Sequence, residues 1–214
     1  MQFFNLHTHI LSEVETILEV VNQYPWEFKE NIPYYSIGIH PWYISEKRLA
    51  SDLEIIEEKL KSKECLALGE CGLDKRIEIP LSIQIAVFEQ QIALAERYQK
   101  PLVLHLVAAF DELIEIKKRL KISVPIIIHG FSKNQQVAKQ LLDAGFYLSF
   151  GKYLLRNPEL KAVFKSVPND KFLLETDTCE ETIESVYALA TRYKGLTLEE
   201  MQQQVEENFK KLFF

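Results

Sequence analysis

The sequence predicts an α/β chain of TIM type, a parallel (β/α) barrel, on three observations. Apolar β-rich runs alternate with helical patterns over most of the 214 residues, the signature of successive βα units. All five histidines, His7, His9, His40, His105 and His129, stand at the C-terminal end of a short apolar run. Glu70 and Asp177 share that placement, closing CLALGE (65–70) and KFLLETD (171–177). Such a barrel carries its chemistry on the rim at the C-terminal strand ends, so His, Glu and Asp gathered there point to metal ligation.

Taken in order, strands are expected near 2–7, 34–39, 64–69, 101–105, 124–129, 145–150 and 171–176. Helices are expected near 46–61, 82–99, 109–120, 133–144, 157–166, 180–193 and 197–212. Ser45 and Ser132 read as N-caps, and Thr197 with Glu200 as a capping box. Gly145, following LLDA, is a natural helix stop. The segment 10–33 is too short for a helix, a strand and a second helix. Within it, TILEVVN (16–22) reads either as a strand whose preceding helix is deleted or as one amphipathic helix. The strand is preferred, because Val20 and Val21 run directly into the turn-like NQYP. The barrel is therefore expected to be trimmed or distorted around 10–33.

The length suits a single domain over 1–214, near the short end for eight strands. A hydrophobic content of 47% is ordinary for a globular core and argues against disorder. No run approaches 18 apolar residues, and MQFFNLHTH has no basic region followed by a long apolar one. Neither a membrane span nor a signal peptide is expected. Cys65, Cys71 and Cys179 are odd in number and lack zinc-knuckle spacing, which suggests reduced thiols and a cytoplasmic location. A net charge of −6 disfavours tracking along duplex nucleic acid, though not the gripping of an end. The pattern fixes no oligomeric state and is compatible with a monomer.

Three features carry chemistry. In His7-Thr8-His9 the two imidazoles share a strand face and can reach one cation. Glu70, in GECGLD, is a carboxylate that is costly to bury unpaired. Its two oxygens can bridge cations about 3.5–4 Å apart. His105, His129 and Asp177 each end a run of β-branched residues or leucine. A lone histidine at a strand end is more often structural than a ligand, but the joint pattern is not explained that way.

The motifs HTH, GIHP, GECGLD, VLH, IIHGFS and LLETD, in this order, resemble the TatD family of metal-dependent deoxyribonucleases, within the amidohydrolase-like barrels. The resemblance runs from the first strand to Asn208 before KKLFF. It implies two divalent cations (Mg²⁺, Mn²⁺ or Zn²⁺), the first held by His7, His9 and Asp177 and the second by His105 and His129, with Glu70 bridging. It also implies that His40 orients substrate or water and that Asp177 accepts a proton. The implied activity is two-metal hydrolysis of phosphodiesters, on single-stranded or frayed DNA ends or on small phosphodiesters. The chain departs from the family pattern at Asn5 for Asp, at Val107 for Arg, at Lys133 closing HGFSK, and at Thr178-Cys179 for Ser-Pro. Loss of the arginine leaves Lys133 as the expected phosphate contact. Trp42 and Tyr43 suit base stacking or packing, and Lys75, Lys152 and Arg156 suit phosphate contact or plain solvation. Glu175 suits orientation of a ligand or a lysine. The same metal pair suits hydrolysis of a carboxylic ester or amide, including an aminoacyl ester on tRNA. A catalytically idle binding barrel is the remaining alternative.

Overall fold

The computed structural model describes residues 2–214. Eight strands follow one another in sheet order β1 to β8, the topology of the predicted TIM-type barrel. They are β1 (Phe3–Thr8), β2 (Ile17–Gln23), β3 (Tyr35–Ile37), β4 (Cys65–Asp74), β5 (Leu102–Val107), β6 (Ile126–Ile128), β7 (Tyr147–Phe150) and β8 (Phe172–Leu174). The helices are α1 (Leu49–Lys59), α2 (Leu81–Tyr98), α3 (Phe110–Leu120), α4 (Gln135–Asp143), α5 (Lys152–Arg156), α6 (Leu160–Ser166), α7 (Ile183–Lys194) and α8 (Leu198–Phe213).

The expected trimming is present. Residues 17–22 of the TILEVVN run lie in β2, with no helix between β1 and β2 and only a 3₁₀ turn, Pro25–Glu27, between β2 and β3. Two caps differ from expectation. Arg48 rather than Ser45 precedes α1, and Asn134 rather than Ser132 caps α4, its side chain accepting from Val137 N at 3.0 Å. The Thr197–Glu200 capping box is formed, and Gly145 adopts φ 84° just past α4, the left-handed stop that glycine favours. The short helix α5 had no expectation.

The chain forms two compact units, one running to Val21 and resuming at Ile128–Phe214, the other spanning Asn22–Ile127. In the first, β1 pairs with β2 from Phe3↔Ile17, and β7 with β8 from Leu148↔Phe172. Helix α8 lies against β1 and β8. Phe209 meets Phe4 at 5.0 Å between ring centroids, and Asn208 Nδ2 donates to Asn169 O and Phe172 O at 2.7 and 2.8 Å. The phenol of Tyr187 both accepts from Phe4 N and donates to Phe4 O, each at 3.1 Å. Phe150, Phe164 and Phe172 continue the core as edge-on pairs 4.9 Å apart. These contacts fix β1 and β8, the strands that carry or precede three of the expected ligands.

In the second unit, β4 is buried along all ten residues. Its pairing with β5 shifts register between Leu68 and Cys71, an irregularity of the kind that re-aims a side chain. Glu70 lies at that shift. Gly72 faces His105 across the ladder with φ 134°, and a Cβ there would stand 2.1 Å from His105 O. Only glycine permits this approach. Two buried glutamines of α2 satisfy the strand-end backbone. Gln84 exchanges bonds of 2.8 and 2.9 Å with Asp74, and Gln91 exchanges bonds of 2.8 and 3.1 Å with Ile39.

Candidate metal centres

In the first unit, backbone bonds hold the ligand candidates in place. Thr8 and Asp177 form a parallel bridge. Asp177 N donates to His7 O at 2.8 Å, and His9 N donates to Asp177 O at 3.3 Å. Asn5 adds a second tie, donating from Nδ2 to Thr176 Oγ1 at 2.9 Å and accepting from Thr176 N at 3.0 Å. The asparagine that departs from the family pattern is thus a buried strap between the strand of His7 and the segment of Asp177.

The side chains converge on Asp177. Its Oδ1 lies 3.5 Å from His9 Nε2 and 3.9 Å from His7 Nε2, and the His7 and His9 rings are 5.1 Å apart. Ligand atoms of His7, His129 and Asp177 all lie within 4.8 Å of one another. Lys152 pairs with Asp177 Oδ2 and donates to Thr178 Oγ1 at 3.1 Å. Burial would raise the Asp177 carboxyl, but His129, His7 and Lys152 outweigh it and hold it below the usual carboxylate range. Asp177 also has φ 57°, a left-handed conformation uncommon outside Gly, Asn and Asp and often found at functional sites. Behind His129, fully buried Glu175 places Oε1 3.5 Å from Nδ1 and accepts from Gly130 N at 2.7 Å.

In the second unit, Glu70 Oε1 lies 3.1 Å from His40 Nε2 and 3.2 Å from His105 Nδ1. Ligand atoms of these three residues lie within 4.8 Å of one another. The Glu70 amide donates to Asn22 Oδ1 at 2.8 Å, and His40 Nδ1 accepts from Trp42 N at 3.1 Å as the cap of the 3₁₀ turn Pro41–Tyr43. The other His105 nitrogen, Nε2, faces Asp74 Oδ2 at 3.2 Å. That oxygen also accepts from Trp42 Nε1 at 2.8 Å. Burial would raise Asp74, yet its bonds from Trp42, Arg76 and His105 hold it below the ordinary value.

The structure therefore gathers His7, His9, His129 and Asp177 in one unit, and His40, Glu70 and His105 in the other. His40 stands against the Glu70 carboxylate. Lys133 lies half-buried on the loop between β6 and α4. Two roles escaped the sequence reading. Asp74, the last letter of GECGLD, was given none, and Lys152 was expected at phosphate or in solvent rather than paired with Asp177. Cys65 and Cys71 are buried packing residues whose thiols burial pushes up.

The model of the TatD related DNase family matches residues 2–214. The chain belongs to this family. An uncharacterized metal-dependent hydrolase of Bacillus subtilis (strain 168), YabD, is 32% identical over 197 residues, 84% of this chain and 77% of that protein. The crystal structure of YJJV, a TatD homolog from Escherichia coli K12, superposes with a TM-score of 0.84 at 23% identity, covering 99% of this chain and 97% of that one. A hydrolase of the TatD family from Entamoeba histolytica gives the same TM-score, 0.84, at 17% identity, covering 100% and 98%. The last two likenesses establish the shared fold. By family, the TatD chain described here is a metal-dependent hydrolase. Among the described residues no helix is long and apolar enough to cross a membrane.

Proposed function

We propose that this TatD-family chain is a two-cation phosphodiesterase, a deoxyribonuclease acting on short single-stranded or frayed DNA ends. The observation that carries the reading is the donor set. Each unit holds a cluster of imidazole nitrogens and carboxylate oxygens within 4.8 Å of one another, a mixed N/O set suited to Zn²⁺ or Mn²⁺. His7, His9 and Asp177 would hold one cation and Glu70 and His105 another, with His129 completing the ligand set and His40 seated against the Glu70 carboxylate. Divalent cations bound there would polarise a phosphoryl oxygen and acidify a water.

The remaining work falls to the chain's own groups. Asp177, paired with the Lys152 ammonium and held below the usual carboxylate range, accepts the proton of the attacking water. Glu175 and Asp74 orient His129 and His105 from behind, as carboxylates do for metal-ligating imidazoles. Lys133 supplies a point charge for phosphate in place of the arginine absent at Val107, which favours weak, sequence-tolerant binding. The net charge of −6 favours ends over long duplex tracts.

The test is elemental analysis of protein purified without chelator, followed by a hydrolase panel. Slow metal-dependent cleavage of single-stranded oligonucleotides, with little action on closed circular duplex, is expected. Cleavage of an aminoacyl ester with no turnover of DNA ends in Mg²⁺, Mn²⁺ or Zn²⁺ would overturn the nuclease reading.

A further inference from the structure

Trp42 is 52% exposed, yet its ring is not loose. The indole Nε1 donates to Asp74 Oδ2 at 2.8 Å, and the same oxygen lies 3.2 Å from His105 Nε2. The ring centroid is 5.0 Å from that of His40 and 5.5 Å from that of His105. Both histidines meet it steeply, at 84° and 75°, so neither covers it by parallel stacking. The nearby aromatic residues are arranged differently. Trp26 stacks on Tyr24 at 13° and carries the Arg48 guanidinium over its ring at 4.4 Å. Tyr43 meets Tyr24 and Trp26 edge-on, at 83° and 72°, and its carbonyl accepts from Arg48 at 3.0 Å. Those rings belong to a packed cluster. Trp42 presents a solvent-facing π surface, its orientation fixed by the bond to Asp74, beside two ligand candidates.

We propose that Trp42 is a stacking platform for a planar ring of the substrate, the nucleobase adjoining the phosphodiester that reacts. Every base has a π face, so such a platform gives affinity without sequence selection. The Asp74 bond fixes the indole in advance, so little side-chain freedom is lost on binding. The proposal rests on the phosphodiesterase reading for its substrate, and its test separates the two.

The chain has two tryptophans, so Trp26→Phe leaves Trp42 as the sole indole, whose emission is read by excitation at the red edge where tyrosine does not absorb. Deoxyadenosine monophosphate should quench its emission, while 2-deoxyribose 5-phosphate, which lacks the base, should not. In steady-state kinetics, Trp42→Phe and Trp42→Leu both lose the bond to Asp74 but differ in keeping a ring. Trp42→Leu should raise KM for a dinucleotide by about tenfold, within the range for one stacked base, and leave KM for its abasic analogue unchanged. Trp42→Phe, which keeps a ring without the bond that fixes it, should raise KM for the dinucleotide by less than Trp42→Leu does and leave KM for the abasic analogue unchanged. Absence of base-dependent quenching, or equal behaviour of the two variants on both substrates, would overturn the platform. Base-selective quenching without phosphodiester turnover would leave the platform standing and remove the nuclease reading.

Discussion

The Asp177 amide donates to the His7 carbonyl at 2.8 Å, and the Asp177 carbonyl accepts from His9 at 3.3 Å. One expected ligand on β1 and a second just beyond its end are thereby registered against a third, 170 positions away from His7 in sequence, through backbone alone. The arrangement does not depend on the chemistry of the Asp177 side chain. The side chain can therefore be altered while the scaffold of the cluster is retained.

Asp177→Asn uses that separation. Asparagine tolerates the left-handed conformation at φ 57°, so the bond to His7 should persist and the melt should remain cooperative. The variant removes the proposed base and a negative charge. Activity should fall by about 10²–10⁴-fold, the usual general-base contribution. Lys152 loses its ionic partner, and metal content should drop as well. Wild-type turnover in a folded Asp177→Asn protein would refute the assigned role.

Asp74 touches His105 on the nitrogen opposite the one facing Glu70. A carboxylate in that position fixes the imidazole tautomer and raises its basicity. Asp74→Asn should weaken divalent-cation affinity by about tenfold, at the lower end of such effects, without removing a ligand. Competition against a fluorescent chelator reads this directly. Unchanged affinity would make Asp74 a structural acceptor for Trp42 and Arg76 only.

Gln91 offers a test of the scaffold. Its amide group closes both hydrogen bonds of buried Ile39, the residue that precedes His40. Gln91→Leu keeps volume but strands a buried N–H and a buried C=O. At about 1–3 kcal/mol for each unsatisfied group, a loss of about 2–6 kcal/mol is expected, seen as a lower urea midpoint with unchanged slope. An unaltered midpoint would mean that the backbone finds other partners.

Much of this architecture was legible in the sequence because burial imposes periodicity. The strand in TILEVVN was readable from Val20 and Val21, and the ligand candidates from their placement after apolar runs. The extent of β4 was not readable. Glu70 looked like a strand end because a carboxylate interrupts an apolar run, yet β4 continues to Asp74, its polar groups satisfied by α2 and by Asn22. Those partners are tertiary and leave no local signal. Helix α5 is five residues long, too short to develop an amphipathic period, so the setting of Lys152 against Asp177 was hidden as well. Ser132 and Asn134 are both good capping residues, and only the start of α4 decides between them.

Lys194 lies away from both clusters and provides a pH-dependent test. Burial pushes its ammonium down from 10.5 to about 8, although Nζ donates to Val167 O and sits 5.1 Å from the Phe164 and Phe172 ring centroids. A base depressed on folding destabilises the native state wherever it is protonated in both states, below pH 8. Between about 8 and 10.5 the unfolded chain holds a proton that the folded chain has released, so this group makes stability rise with pH. Partial exposure lets solvent screen the penalty, so the shift should be modest. Lys194→Met should remove the contribution while keeping the aliphatic packing on the two phenylalanines. Relative to wild type, it should gain in Tm at pH 7 and lose most of that advantage by pH 9.5. The difference should be on the order of 2 °C, corresponding to somewhat under 1 kcal/mol for a chain of this size. Parallel Tm profiles across that range would show that the carbonyl and the two ring faces already compensate the cost of burial.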